Sequence, residues 1–234
     1  MIKKIDNKNM GRSDLGWLQS VFHFSFANYY NPDNMNFGVL RVVNDDLVKS
    51  NTGFALHPHK DMEIVSYVVD GELNHGDTMG NKNTITRGHV QYMSAGTGVS
   101  HTEYNYGDTT SRFLQIWILP NERGLKPNYG DYRFNWEDRK NNWLEIVSST
   151  DGDAPIKINQ DANIHVIELD KDKEIDFKVG HGRQAYLIQI EGSSEINQIK
   201  LDARDAAEIV EEDITVKAIE TSHVLVIEMK KEEK

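Results

Sequence analysis

The sequence predicts an all-β protein built of two β-barrels. Short runs of β-branched and aromatic residues recur at a spacing of roughly ten residues along the whole chain. Clusters of Gly, Asn and Asp separate these runs, and such clusters form turns. Stretches with the 3.6-residue period of a helix are scarce, which favours an antiparallel sandwich or barrel.

The strand pattern is clear in both halves of the chain. In the first half the predicted strands are residues 37–43, 63–69, 90–93 and 113–119. In the second half they are residues 164–169, 185–190, 196–201, 214–219 and 223–229. Because both halves show the same pattern of short strands and turns, we expect two barrels of one architecture.

The stretch between the halves predicts a domain boundary. Residues 126–142 are polar and loop-like, with Pro127 and Gly130 among them. We therefore expect an N-terminal barrel over residues 1–135 and a C-terminal barrel over residues 136–234. The one short helix candidate covers residues 203–210, although its first residues fit a turn equally well.

The composition is that of a globular protein with an acidic surface. With 234 residues, the chain has room for one or two domains. Its content of 38% hydrophobic and 27% charged residues is ordinary for globular proteins. The formal net charge of -11 argues against direct binding of nucleic acid, which needs clustered Lys and Arg, but permits a protein partner.

The sequence contains no cysteine, which excludes disulfides, thiolate metal ligands and cysteine nucleophiles in this chain. Its first residues lack the apolar core of a signal peptide. No apolar run approaches the ~20 residues needed to cross a bilayer. We therefore expect a cytoplasmic protein without a membrane partner.

The strongest chemical signal begins with two histidines two residues apart. Residues at i and i+2 of a strand point to the same face, so the imidazoles of His57 and His59 should lie together. Pro58 between them has no N–H for a β-ladder, which places this strand at an edge or at a bulge.

His101 and Glu103 form a second pair with the same spacing. If their strand pairs with the first across a small barrel, four ligand groups converge inside. Three imidazoles and one carboxylate suit a divalent transition metal, and Fe, Ni, Mn, Cu and Zn all accept these donors. A metal with five or six ligands would keep an open position for a substrate or O₂.

Glu63 is a competing carboxylate. It lies four residues after His59, so unbroken strand parity would point it to the same face. Parity over two residues is safer than parity over four beside Pro58, which favours Glu103. The spacing alone does not decide between the two carboxylates.

The other histidines are interpreted as structural because none has a second ligand at metal spacing. His75 and His89 are both expected at turns, since glycines flank them. The complete set is His23, His75, His89, His165, His181 and His223.

The two histidine motifs resemble those of the cupin superfamily. The first motif maps to Gly53, His57, His59, Glu63 and Gly71, with glycine spacings that differ from the pattern. The second motif maps to Gly88, Gly96, His101 and Asn105, with Ser94 where a proline is common and a longer gap before His101.

These departures are typical of pirins, and the chain resembles that family almost continuously over residues 16–105. The similar stretches include WLQSVFHFSFANYY, FGVLRVVNDD, HPHKDMEIVSYVVDGELNHGDTMGN and VQYMSAGTGVSHTEYN. The resemblance is strongest to bacterial pirin-like quercetin 2,3-dioxygenases. It implies a bicupin fold whose N-terminal barrel binds one metal, with iron the first expectation, and whose C-terminal barrel lacks a metal site.

The resemblance also implies which residues hold the metal. In pirins the ligands are the histidines of H-P-H together with the His and Glu of H-x-E. In this sequence they are His57, His59, His101 and Glu103. Glu63 then becomes a neighbour of the site.

The implied activity is a dioxygenase reaction that opens the heterocycle of quercetin or a related flavonol with O₂ and releases carbon monoxide. The substrate would be a small flavonoid-like aromatic molecule. A bound divalent cation lowers the pKa of a hydroxyl group, and a nearby carboxylate can take the proton. Glu103 is the candidate for this catalytic role when it loosens from the metal, with Glu63 in reserve.

Two alternatives share the same fold and ligands. Some pirins are non-catalytic metal-binding modules that regulate through protein interactions, and the acidic charge of this chain is compatible with a protein partner. A cupin enzyme with another substrate, such as an isomerase or a different oxygenase, is the second alternative.

Overall fold

The structure, a computed structural model that describes residues 1–231, confirms the all-β prediction. This part of the chain contains twenty-two strands and two short 3-10 helices, Asn7–Asn9 and Trp136–Arg139. No helix within residues 1–231 has the length and apolar character needed to cross a membrane. The chain divides into two compact units.

The strands are numbered in chain order. They are β1 (Ile2–Ile5), β2 (Gly11–Asp14), β3 (Leu18–Phe22), β4 (Leu40–Val48), β5 (Thr52–His59), β6 (Glu63–Asp70), β7 (Glu72–Asp77), β8 (Lys82–Thr86), β9 (His89–Ser94), β10 (Val99–Asn105), β11 (Ser111–Ile118), β12 (Asn128–Arg133), β13 (Leu144–Ser149), β14 (Ile156–Ile158), β15 (Ala162–Leu169), β16 (Glu174–Phe177), β17 (Arg183–Glu191), β18 (Ser194–Ile196), β19 (Ile199–Leu201), β20 (Ala206–Val210), β21 (Ile214–Ala218) and β22 (Ser222–Lys230).

The N-terminal unit contains residues 11–134 and 158–160. One sheet has seven strands in the order β12-β9-β6-β11-β4-β3-β2, and the other has four in the order β5-β10-β7-β8. Apolar side chains from both sheets are buried together, which stabilises the unit by removing their surface from water. This core contains Leu18, Val48, Val68, Leu73, Ile85 and Phe113.

The C-terminal unit contains residues 1–10, 135–157 and the described chain from 161 onward. It repeats the plan with a seven-stranded sheet, β1-β20-β17-β22-β15-β13-β14, and a four-stranded sheet, β16-β21-β18-β19. The first ten residues belong here because β1 pairs with β20, with Ile2 opposite Ile209. The predicted boundary at residue 135 assigns these ten residues to the N-terminal barrel instead. The sequence does not reveal the pairing, because β1 and β20 lie near opposite ends of the chain.

Two sequence predictions of irregular or helical structure are wrong. Residues 128–133, inside the predicted linker, form β12 and pair with β9. Residues 206–210, inside the helix candidate, form β20 and pair with both β1 and β17. In both cases, pairing with a distant strand overrides a weak local preference.

The predicted strand over residues 196–201 is a hairpin. Its strands, β18 and β19, are joined by Asn197 and Gln198, whose φ angles are 44° and 72°. Two consecutive positive φ angles are typical of the type I′ turn that joins strands most tightly. Asn is a common residue in this turn, so Asn197 was the available signal.

Three backbone features position the site in the N-terminal unit. As Pro58 predicts, β5 lies at the edge of its sheet. The pairing of β5 with β10 has a register shift between His101 and Glu103. After β5 the chain turns at Asp61, whose φ is 49°, and enters the other sheet as β6. The two sheets therefore present different side chains to the space between them.

Candidate metal centre

The edge strand β5 presents the first two histidines. The ring centroids of His57 and His59 lie 4.8 Å apart, as expected for residues two apart on one face of a strand. The Nδ1 atom of His57 lies 2.7 Å from the carbonyl oxygen of Ala55. If Nδ1 carries the proton and donates it there, the lone pair of Nε2 is left to face a cation.

The neighbouring strand β10 supplies the third histidine. His101 pairs directly with His57 across the two strands, and their ring centroids lie 4.5 Å apart. The rings of His59 and His101 are 4.8 Å apart. One nitrogen from each of the three rings can be chosen so that all lie within 4.8 Å of one another. The structure thus brings three of the four sequence-predicted ligands together.

The state of these imidazoles suits a metal. His101 is fully buried, and neither of its ring nitrogens has a hydrogen-bond partner in the described part of the chain. Burial, together with the neighbouring histidines, lowers the pKa of His59 and of His101 to about 3. The neutral rings of His59 and His101 are donors that a divalent transition metal accepts.

The carboxyl group of Glu103 lies beside this group but is held by other residues. Glu103 is 2% exposed, and it is not among the residues whose possible ligand atoms all lie within 4.8 Å of one another. The amide Nε2 of Gln115 donates to Oε2 at 2.6 Å, and Ser66 Oγ lies 3.0 Å from Oε1. Burial raises the pKa of Glu103, although the hydrogen bond from Ser66 opposes this.

Ser66 contacts both Glu103 and Gln115. Its hydroxyl also lies 2.6 Å from Oε1 of Gln115, so one proton has two acceptors within reach. Glu103, Ser66 and Gln115 therefore form a closed ring of three contacts, all of them buried. Such a ring is fully satisfied only when the number of protons matches the number of contacts.

Glu63 lies on the other side of its sheet. Since Ser66 of β6 points toward Glu103, Glu63, three residues earlier on the same strand, points to the opposite face. There its carboxylate accepts hydrogen bonds from the backbone N–H groups of Asn159 and Gln160 at 2.7 and 2.9 Å. The parity that linked Glu63 to His59 is broken because the chain changes sheets between them.

His75, which the glycine beside it predicted at a turn, instead lies in a strand next to the site. It lies within β7, directly opposite Glu103, and its ring centroid is 5.3 Å from that of His101. Its Nε2 lies 2.9 Å from Oδ2 of Asp77, and its ring stacks on Tyr129 at 4.7 Å. The available signal was the spacing of His75 and Asp77, a third pair of polar residues two apart.

The Asp77 carboxylate keeps His75 in one orientation. Burial alone would raise the pKa of Asp77, but hydrogen bonds from His75 and Asn81 lower it below its ordinary value. An ionised Asp77 accepts from Nε2 and leaves Nδ1 of His75 without a partner among the described residues. His75 thus adds a fixed imidazole to the wall of the site.

An aromatic group forms another wall. The indole of Trp117 meets the ring of His59 edge-on, with centroids 4.9 Å apart. Phe26 packs against the same indole at 5.4 Å. Trp117 also packs on a small apolar cluster of Ile64, Met93 and Val99. These side chains place apolar surface beside His59, and apolar surroundings strengthen electrostatic interactions.

Fold and site together define a two-domain cupin protein, and comparison with known proteins supports this assignment. The pirin family model matches residues 5–118. The model described as quercetinase C-terminal cupin domain matches residues 145–229. The two models thus cover one unit each for most of its length.

Individual relatives match over nearly the whole chain. A pirin-like protein of Caulobacter vibrioides is 42% identical over 231 residues, 97% of this chain and 99% of the relative. A quercetin 2,3-dioxygenase of Escherichia coli K12 is 40% identical over 222 residues, 94% of each chain. The crystal structure of an Escherichia coli bacterial pirin in complex with nickel(II) superposes with a TM-score of 0.93 at 36% identity, covering 99% of this chain and 100% of that one. The chain belongs to the pirin family.

Proposed function

We propose that this protein is a metal-dependent dioxygenase that opens the heterocycle of quercetin or a related flavonol with O₂ and releases carbon monoxide. The observation that carries the proposal is the convergence of the His57, His59 and His101 imidazoles in a partly buried site, where burial lowers the pKa of His59 and of His101 to about 3. The relatives named for this activity, at 40% identity over 94% of the chain, support the choice of reaction.

The proposed ligands are these three histidines and Glu103. When bound, a divalent cation would supply Lewis-acid chemistry that lowers the pKa of a substrate hydroxyl and would offer an open position for a ligand. Iron is the proposed native ion. Nickel(II) is the ion in the related bacterial pirin structure, and the donor set accepts both.

Glu103 is the proposed acceptor of the flavonol hydroxyl proton. When Oε1 of Glu103 carries a proton, it can donate a hydrogen bond to the Ser66 hydroxyl, and the Ser66 hydroxyl can donate one to Oε1 of Gln115. The Gln115 amide already donates to Oε2 of Glu103. All three contacts of the ring then have one proton each. With Glu103 ionised, Ser66 can satisfy only one of its two acceptors, so the ring has room for one added proton.

The surrounding side chains suit a flat aromatic substrate. Trp117 and Phe26 offer apolar surface beside His59, and flat aromatic ligands bind between such walls. His75, fixed by Asp77, closes the side of the site next to His101.

The proposal is tested by loading the purified protein with Fe, Ni, Mn, Cu or Zn and following O₂ uptake and quercetin absorbance together. We expect turnover with at least one ion and release of carbon monoxide. The variant His101→Ala should lose both metal and turnover, because it removes the buried central ligand. Full metal content in His101→Ala would overturn the proposed centre.

Metal binding without turnover by any ion would reject the dioxygenase and favour a non-catalytic metal-binding module. The net charge of -11 would then direct the search toward protein partners with a basic surface. Metal content and turnover are therefore measured on the same samples.

A further inference from the structure

A row of polar side chains crosses the inner face of the seven-stranded sheet of the N-terminal unit. Gln91 of β9 lies opposite Ser66 of β6, Ser66 lies opposite Gln115 of β11, and Gln115 lies opposite Asn44 of β4. Residues directly opposite one another on neighbouring strands share a face of the sheet. All four side chains are buried.

The next row of the same face is apolar. Met93 lies opposite Ile64, Ile64 lies opposite Trp117, and Trp117 lies opposite Val42. The polar row therefore lies beside apolar residues on the same inner face. Burying a polar side chain costs free energy unless it gains a partner, so the contacts of the polar row indicate what it serves.

The two central members of the row meet the Glu103 carboxylate from across the barrel. Gln115 donates to Oε2 at 2.6 Å, and Ser66 lies 3.0 Å from Oε1, so each carboxylate oxygen has its own contact. Ser66 in turn lies 2.6 Å from Gln115 Oε1, which fixes the orientation of the amide. A carboxylate held at both oxygens has one orientation left.

We propose that Gln115, supported by Ser66, is the positioning residue that sets the orientation of Glu103 toward the cation at the three histidines. This inference rests on the proposed metal centre and extends it to residues on a different sheet. Because β10 carries both His101 and Glu103 while Gln115 comes from β11, the position of the carboxylate depends on the spacing of the two sheets.

The side chain of glutamine is suited to this task. Its amide offers a donor to Glu103 and an acceptor to Ser66 at the same time. Gln115→Met keeps the length and approximate volume and removes both groups. Outer partners of metal ligands orient those ligands, and their loss weakens metal affinity by about 10–100-fold.

The C-terminal unit supplies a matched control. Gln189 is fully buried, accepts from Ser194 Oγ at 2.6 Å and donates to the carbonyl oxygen of Glu191 at 2.8 Å. Gln189→Met therefore removes the same kinds of hydrogen bond from a unit that lacks the three histidines. A general effect of losing a buried glutamine should be equal in the two variants.

The experiment loads wild type, Gln115→Met and Gln189→Met with cobalt(II), whose visible absorption reports the number and type of ligands. We expect Gln115→Met to bind cobalt(II) about 10–100-fold more weakly and to show a changed spectrum. Gln189→Met should keep the wild-type affinity and spectrum, even if both variants unfold at a lower temperature. An unchanged affinity and spectrum in Gln115→Met would overturn the inference.

The outcomes separate this inference from the proposed function. If wild type binds no cobalt(II), the metal centre itself is wrong. If wild type binds it and Gln115→Met behaves identically, only the positioning role is wrong. Should Gln115→Met fail to fold, Ser66→Ala removes the supporting hydroxyl alone, and the same spectral change is expected at a smaller loss of affinity; an unchanged spectrum there would equally reject the inference.

Discussion

His57 and His101 lie directly opposite each other on neighbouring antiparallel strands, with their ring centroids 4.5 Å apart. The contact joins an edge strand to the strand that also carries Glu103. Because the rings face each other across paired backbones, the hydrogen bonds of the sheet fix their separation before any ion binds. The site is therefore largely preorganised by the fold.

Glu63 and Glu103 should respond in opposite ways to the same replacement. The backbone N–H groups of Asn159 and Gln160 donate to different oxygens of Glu63, so the new amide of Glu63→Gln must face one of these donors and should lower the free energy of unfolding by about 1.5–3 kcal/mol. Its metal affinity should stay at the wild-type value. Denaturant titration and cobalt(II) titration of the same samples measure the two effects.

The matched variant is Glu103→Gln. It should weaken cobalt(II) binding by at least about tenfold, since even partners one shell further out have effects of that size. Weaker metal binding in Glu63→Gln than in Glu103→Gln would reverse the assignment of the two carboxylates.

The fluorescence of Trp117 should report metal binding. Its indole lies 4.9 Å from the ring of His59, so a paramagnetic ion at the histidines should quench it. Trp117→Phe should remove most of the quenching seen on titration with nickel(II) or copper(II). Trp143→Phe, in the C-terminal unit, should leave the quenching intact; loss of the signal in that variant instead would place the ion elsewhere.

Asp46 should make the stability of the protein depend on pH near neutrality. Its pKa is raised from 3.8 to about 7 by burial, against a hydrogen bond from Ser20, with Asp45 and Glu103 adding to the rise. The folded protein thus holds the proton more tightly than the unfolded chain. The stability contributed by the protonated group is present at low pH and is lost as the pH rises from 3.8 to about 7.

Asp46→Asn stays neutral at every pH and should be more stable than wild type at pH 8. This advantage should shrink by about 2–3 kcal/mol on going to pH 5, as measured by urea unfolding at both values. Asp45→Asn is the control, because Asp45 accepts two hydrogen bonds from Arg112 at 2.9 and 2.8 Å. It should destabilise the protein at both pH values, and a pH-independent gain for Asp46→Asn would contradict the raised pKa.

The hairpin turn in the C-terminal unit offers a stabilising replacement. Gln198 has a φ of 72°, a conformation that costs a side chain energy and costs glycine little. Gln198→Gly should raise the free energy of unfolding by about 0.5–1 kcal/mol. Lys200→Gly, within the adjacent strand β19, should lower it, and equal effects of the two glycines would reject the role of the turn conformation.

Much of the fold could be predicted because the signals are local. Short runs of β-branched and aromatic residues mark β6, β11, β15 and β22 in the sequence, and turn residues mark their ends. The predictions fail where a strand has a weak pattern of its own. β12 and β20 exist because partners far along the chain satisfy their backbone groups.

The sequence by itself determined that His57 and His59 share a face, as do His101 and Glu103, because the two-residue period of a strand is a local property. Only the tertiary structure decided the role of Glu63, since the change of sheet near Asp61 reverses the face that simple parity assigns. It also brought His75 to the wall of the site and Gln115 to the Glu103 carboxylate, through pairing across strands and packing across sheets. Spacing along a chain specifies a face, whereas which faces meet depends on contacts between residues far apart in sequence.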